Sequence, residues 1–134
     1  MKIEFAAKKD LSELSSLDEH IAESELVGLI STKRVLVARD NDKICGWLRY
    51  NLFWDNIPFM NMLYVLDGYR NEKLGSKLVE FWEKEMQVQG YTKLMTSTLS
   101  NEDAQHFYRK LSYKDCGGLL LPNEPLEILF VKIL

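Results

Sequence analysis

The sequence is poor in cysteine, histidine and long apolar runs. Its 134 residues include two cysteines, Cys45 and Cys116, and two histidines. Cys45 and Cys116 lie far apart with no paired spacing, and so small a set of cysteines and histidines disfavours a structural zinc site, so we expect no metal. No stretch approaches the ~18 continuous apolar residues of a membrane span, and residues 1–5 lack the apolar core of a signal peptide. These absences predict a cytoplasmic protein with reduced cysteines and no membrane partner.

The sequence also lacks an excess of positive charge. Seventeen basic and twenty acidic side chains give a net charge of -3, which disfavours nucleic acid as a partner. Hydrophobic residues make up 46% and charged residues 28%, which is typical of a globular protein. A chain of this length is the usual size of one domain, so we expect a single domain over residues 1–134.

Periodicity and turn residues predict the element order β-α-α-β-β-β-α-β-α-β-β. The fold class is therefore α/β (α+β), with a single mixed, mostly antiparallel central sheet flanked by helices. Asp10 and Glu13 form a capping-box pattern before a helix whose apolar face reaches Ile21, and Ser100 or Asn101 is expected to cap the last helix. The predicted strands are 2–7, 34–39, 44–53, 57–66, 91–99, 113–121 and 126–134, and the other helices are 25–31 and 72–89.

The most informative segment is the apolar strand 57–66 with the polar loop and helix that follow it. The first turn of a helix offers unpaired N–H groups and a partial positive charge, which favour phosphate. Arg70 and Lys73 would strengthen such a site, and Gly75 would let a pyrophosphate approach the backbone. Neither a P-loop nor a dinucleotide-binding glycine pattern is present. The alternative is an ordinary strand–helix connection with solvated basic residues.

A second segment has Asn101, Ala104, Phe107, Tyr108 and Leu111 at fixed spacing. Together with the loop that carries Arg70 and Gly75, it resembles the GNAT acetyltransferase superfamily in motif order and separation. Two positions depart from the family pattern. Lys73 stands in place of the inner glycine of the loop, and we expect a helical conformation there. Ser112 stands in place of a glycine at the end of the second motif.

The resemblance implies a GNAT-like acyl-CoA N-acyltransferase fold and direct acetyl transfer from acetyl-CoA to a primary amine of a small molecule or peptide. Backbone groups of Leu63, Tyr64 and Val65 would pair with the pantetheine arm, and an N–H near Leu63 would face the thioester oxygen. Tyr108 would donate a hydrogen bond to the departing CoA thiolate. Asn101 would contact the pantetheine arm or only cap a helix. The pyrophosphate would be held by Arg70, Asn71, Lys73, Leu74, Gly75 and Ser76.

The acceptor side and the general base are less specified. An aromatic and acidic loop, Trp54 and Asp55, could suit a cationic amine, and Glu25 is a further substrate-binding candidate. The candidates for the general base are carboxylates, with Asp55 favoured, although most of them are expected to be solvated surface charges. They are Glu19, Glu23, Glu25, Asp55, Glu124 and Glu127. A homodimer could complete the pocket. Two alternatives stay open: a CoA-binding sensor or interaction module without catalysis, and an acyltransferase that uses another acyl-CoA.

Overall fold

The structure, a computed structural model, describes residues 1–70 and 73–134 in full. Seven strands form one sheet in the order β1-β2-β3-β4-β5-β7-β6. The pair β4–β5 is parallel, whereas β1–β2, β2–β3, β5–β7 and β6–β7 are antiparallel. The predicted fold class is confirmed. The strands are β1 (Lys2–Phe5), β2 (Val35–Asp40), β3 (Lys43–Phe53), β4 (Ile57–Val65), β5 (Lys93–Leu99), β6 (Lys114–Leu119) and β7 (Glu127–Ile133).

Among the described residues four α-helices accompany the sheet, and short 3-10 helices lie at Lys8–Asp10 and Asp67–Glu72. No helix in the described part of the chain is long and apolar enough to cross a membrane. The α-helices are α1 (Leu11–Leu17), α2 (Glu23–Ser31), α3 (Leu74–Val88) and α4 (Ala104–Lys110).

The chain forms two compact units. The first unit comprises Met1–Asn51 and Met62–Trp82, and the second comprises Leu52–Asn61 and Glu83–Leu134. That the whole chain behaves as one domain stays a prediction.

The core of the first unit is apolar, but two buried ion pairs cross it. Leu14, Leu26, Val37 and Ile44 are almost fully buried in one cluster, as the apolar faces of amphipathic helices and of a covered strand require. The charged side chains that form the ion pairs are buried as well: Asp10, Asp18, Arg39 and Arg49.

One of these ion pairs joins Asp18, directly after α1, to Arg49 of β3. The Arg49 Nε atom donates to Asp18 Oδ2 at 2.8 Å, and the Trp47 indole N–H donates to the same oxygen at 3.0 Å. Burial raises the pKa of the Asp18 carboxyl, but hydrogen bonds from Arg49 and two other donors outweigh it, so the pKa lies below its usual value. The chain after α1 is thus fastened to the sheet by a charged group.

Asp10 stands at the N-cap position of α1, as predicted, but the other buried ion pair engages its side chain. Asp10 makes no side-chain bond to the first turn of α1. Its carboxylate accepts two bonds from Arg39, at 2.8 and 2.7 Å, and one from the Ala7 N–H. Glu13, the expected partner in the capping box, accepts the Ile44 N–H instead. Tertiary pairing has therefore replaced local capping at both positions.

Three other boundaries differ from prediction. The helix α1 ends at Leu17, so Ile21 lies outside it and only packs against the cluster. The helix α3 starts at Leu74, two residues later than expected, because residue 72 ends the 3-10 helix Asp67–Glu72. The helix α4 starts at Ala104 with Asp103 as N-cap, so neither Ser100 nor Asn101 caps it.

The helix α3 ends at Val88, one residue before its predicted end, and Gly90 terminates it. Gly90 has a φ of 94° and its N–H donates to the Gln87 carbonyl, while the Tyr91 N–H reaches the Met86 carbonyl. These two bonds form a Schellman motif, which needs a residue without a Cβ clash at Gly90.

Replacing Asp18 with asparagine should lower the free energy of unfolding at pH 7 by about 3 kcal/mol, because Arg49 would stay buried without a counter-ion. The folded-state pKa of Asp18 is depressed, so its contribution is present above the usual pKa and is lost as the pH falls through the folded value. The difference from the unmodified protein should therefore shrink below about pH 4. Urea unfolding at several pH values measures it.

Glu19→Gln is the matched control, since Glu19 is exposed and its neutralisation should change stability by less than about 0.5 kcal/mol. Equal stability of Asp18→Asn and the unmodified protein at pH 7 would show that the network contributes nothing to folding.

Candidate functional site

The residues carried over by resemblance fall in both units, and each group is described within its own unit. In the first unit, Leu63, Tyr64 and Val65 end β4 as predicted. Leu63 and Val65 are half-buried, whereas Tyr64 is 40% exposed. The Leu66 N–H donates to the Cys45 carbonyl at 2.9 Å, which fixes the end of the strand against β3.

The loop after β4 leads into the first turn of α3. Leu74 is buried, while Gly75 and Ser76 are half-buried. The Lys77 N–H donates to the Lys73 carbonyl at 3.2 Å, so the amides of the three residues before Lys77 open the helix. An opening turn of this kind carries partial positive charge and favours an anion. Asn71, predicted to hold pyrophosphate, lies outside the described residues.

The conformation of Lys73 corrects one expectation. Its φ of 57° and ψ of 26° are left-handed, not the right-handed helical values that we expected. The position therefore keeps the backbone conformation that a glycine adopts without strain. For a lysine this conformation destabilises the folded protein by about 1–2 kcal/mol. Its exposed ammonium adds positive charge directly before α3.

The Arg70 side chain folds back onto the end of β4. Its Nε atom donates to the Val65 carbonyl at 2.9 Å, and its guanidinium lies 5.3 Å from the centre of the Tyr64 ring. It also pairs with Asp67 at 2.9 Å, where both side chains are more than half exposed. Exposed pairs of this kind contribute little, so the guanidinium can leave Asp67 at small cost.

A cavity of about 220 Å³ lies in the first unit between the chain after α1 and the sheet. Asp18 and the exposed residues Glu19 and His20 line one side. Trp47 and Tyr64 line the other, with their rings stacked at 5.1 Å and an angle of 27°. The sequence pointed to neither Asp18 nor Trp47, because their contact spans 29 positions and leaves no local pattern.

In the second unit, Tyr108 lies in α4 and is 7% exposed. Its ring packs edge-on against Phe107 and Tyr113 and at a tilt against Phe130. Burial raises the pKa of Tyr108 to about 12, although a hydrogen bond with Thr96 of β5 opposes the rise. The phenol is therefore protonated at neutral pH. Asn101 lies in an exposed turn between β5 and α4.

The predicted aromatic and acidic loop forms a strained turn of the second unit. Trp54 and Asp55 have φ values of 52° and 63°, and the Asn56 N–H donates to the Phe53 carbonyl. Such a turn normally carries glycine or asparagine. The Trp54 side chain is 77% exposed beside a cavity of about 310 Å³. Both residues precede β4, and their part in acceptor binding stays a prediction, as does that of Glu25, exposed on α2.

The sequence profile of the acetyltransferase (GNAT) family matches residues 5–113, most of the 134-residue chain. The chain belongs to this family. The protein is therefore an acyltransferase. Its sequence matches no curated protein. In the part of the chain that the structure describes, no group of three or more histidine, cysteine, aspartate or glutamate side chains could hold a metal ion.

Solved structures share this GNAT fold. Ard1 from Thermoplasma volcanium is 15% identical, with a TM-score of 0.84 over 98% of this chain and 96% of its own. An aminoglycoside 6'-N-acetyltransferase in complex with coenzyme A is 21% identical, with a TM-score of 0.78 over 99% and 97%. Arabidopsis thaliana Naa50, bound to the bisubstrate analogue CoA-Ac-MVNAL, is 18% identical, with a TM-score of 0.80 over 98% and 97%.

Two substitutions at Lys73 test the strain of the loop. Glycine should give a free energy of unfolding about 1 kcal/mol higher than alanine, because only glycine adopts the left-handed conformation without a Cβ clash. Both variants lose the lysine charge, so charge cancels in the comparison. Urea unfolding of the two variants measures the difference. Alanine as the more stable variant, the usual order inside a helix, would contradict a left-handed Lys73.

Proposed function

We propose that the protein transfers an acetyl group directly from acetyl-CoA to a primary amine of a small molecule or peptide. The observation that carries the proposal is Tyr108, a buried, protonated phenol at the position where the family motif has its tyrosine. The amine nitrogen would form a bond to the thioester carbonyl carbon as the carbon–sulfur bond breaks. A hydrogen-bond donor to the sulfur lowers the barrier for that departure.

The pKa of Tyr108 defines what the phenol can do. A pKa of about 12 lies well above the ~8.5 of a thiol, so complete proton transfer to the thiolate is uphill by about 5 kcal/mol. Tyr108 therefore acts as a hydrogen-bond donor that stabilises charge on the sulfur. The proton that the amine loses goes to water or to a base elsewhere.

The loop of the first unit fits the phosphates of CoA. The backbone N–H groups in the first turn of α3, at Leu74, Gly75 and Ser76, supply hydrogen-bond donors. The side chains of Arg70 and Lys73 supply positive charge. Arg70 has to turn from the Val65 carbonyl to reach a phosphate, and the same movement frees that carbonyl for an amide of the pantetheine arm. Leu63 would offer its N–H to the thioester oxygen, and Tyr64 would add backbone pairing to the arm.

Three further features are proposed on the sequence alone. The whole chain acts as one acetyltransferase domain, a homodimer can complete the acceptor side, and the protein works in the cytoplasm. Asn101 is proposed to contact the pantetheine arm, since it caps no helix here.

Tyr108→Phe should lower turnover by about 10²–10⁴-fold while it leaves the affinity for acetyl-CoA nearly unchanged, because it removes only the donor to the sulfur. Turnover is measured by thiol release with a reactive amine, and affinity by calorimetry. Tyr113→Phe is the matched control: this neighbouring hydroxyl donates to Glu83 at 2.8 Å, and its loss should leave turnover within a few-fold. Equal turnover of Tyr108→Phe and the unmodified protein would remove Tyr108 from the mechanism.

Arg70→Met should weaken acetyl-CoA binding by about tenfold, the loss of a charge-assisted contact with phosphate. Acetyl-pantetheine, which has no phosphates, should bind the variant at least as tightly as the unmodified protein, because Arg70 no longer occupies the Val65 carbonyl. Arg34→Met is the control, since Arg34 bonds the exposed Asn51 side chain. If Arg70→Met weakens the binding of acetyl-CoA and of acetyl-pantetheine to a similar extent, Arg70 acts on the fold or on the pantetheine arm and not on the pyrophosphate.

A further inference from the structure

The charges around the 220 Å³ cavity of the first unit leave one acid without a partner. Asp18 is neutralised by Arg49 within the buried network. Glu19 also lines the cavity, and in the part of the chain that the structure describes its side chain has no hydrogen bond or ion pair. His20, next to it, is exposed and uses its backbone N–H to bond Asp18. The unbalanced charge at the cavity is thus the negative charge of Glu19.

The opposite wall is aromatic and already attracts a cation. Trp47 is buried and stacks on the ring of Tyr64, a residue that is 40% exposed. The Arg70 guanidinium lies over this ring at 5.3 Å, a separation at which the electron-rich face of an aromatic ring attracts positive charge. An ammonium between Tyr64 and Glu19 would combine the same ring attraction with a direct counter-ion.

The size of the cavity limits the ligand. A volume of about 220 Å³ corresponds to roughly seven water molecules at their liquid density and is below the usual range for drug-sized ligands. It suits a single alkylammonium arm, with the rest of a larger molecule outside. Met62 and Leu66 add apolar surface for the carbon chain of that arm.

We propose that this cavity binds the alkylammonium arm of a small cationic amine, with Glu19 as its counter-ion and Tyr64 as its aromatic wall. The identification of that arm as the acetyl acceptor rests on the proposed function, whereas the binding itself does not. The site differs from the sequence-based acceptor candidates Trp54, Asp55 and Glu25, of which none lines this cavity.

The binding can be tested on the full chain without CoA. The probe is n-butylammonium, and the readout is the NMR signal of the Trp47 indole N–H, which is bonded to Asp18. Trp82 does not line the cavity and serves as the internal reference, whereas the signal of Trp54, which also lies outside the cavity, reports binding at the sequence-based candidate site. We expect a saturable shift of the Trp47 signal, with a dissociation constant on the order of millimolar for so small a ligand. Neutral 1-butanol and anionic butyrate should give no comparable shift.

Three single variants identify the counter-ion. Glu19→Gln should weaken n-butylammonium binding about five- to tenfold, as expected for loss of one partly solvated charge contact. Glu80→Gln, the same change on an exposed residue of α3, should leave it unchanged, and so should Glu25→Gln. Equal shifts with 1-butanol, no shift with n-butylammonium, or weaker binding in Glu25→Gln but not in Glu19→Gln would each overturn the proposal.

The failure of the proposed function would look different. If n-butylammonium binds with the expected dependence on Glu19 but no amine is acetylated from acetyl-CoA, the cavity is a cation site and the acetyltransferase proposal fails. If amines are acetylated and Glu19→Gln leaves both the KM of the amine and the NMR titration unchanged, the acceptor binds elsewhere and the cavity proposal fails.

Discussion

The buried carboxylate of Asp18 is the constraint on which the first unit depends. It accepts hydrogen bonds from the backbone N–H of His20, the indole N–H of Trp47 and the guanidinium of Arg49. These bonds hold the chain after α1 against β3. A charge in this position is costly unless it is paired and fully hydrogen-bonded. The pairing holds the walls of the cavity at Glu19 and Trp47, and through Trp47 it supports the ring of Tyr64.

In the second unit the important buried group is the neutral phenol of Tyr108. Aromatic packing around Tyr108 removes water from a phenol that keeps its proton far above neutral pH. A donor with so high a pKa stabilises negative charge without giving up its proton, which suits a departing thiolate. Thr96, whose hydroxyl donates to the Met60 carbonyl at 2.9 Å, connects this position to the parallel pair β4–β5.

The sequence revealed the fold because its elements are strongly patterned. The apolar strand predicted over 57–66 and the helix predicted over 72–89 are both present as β4 and α3, and the two motifs identified the family. Local capping rules placed Asp10 at the start of α1 but not the bonds of its side chain, which Arg39 from β2 engages. They failed at Asn101, since α4 starts three residues after it. The expectation for Lys73 was wrong for another reason: a left-handed lysine is strained, so a helical conformation was expected, whereas the loop keeps a left-handed backbone. The cavity beside Asp18 could not be found from sequence, because it arises from contacts about thirty positions apart.

The most direct test of the account is to incubate the protein with acetyl-CoA and a panel of primary alkylamines and to measure both products. The account predicts N-acetylated amine and free CoA thiol in equal amounts, with alkylammonium acceptors preferred over anionic ones. Tight binding of acetyl-CoA without any N-acetylated product, or thiol release without an acetylated amine, would contradict it.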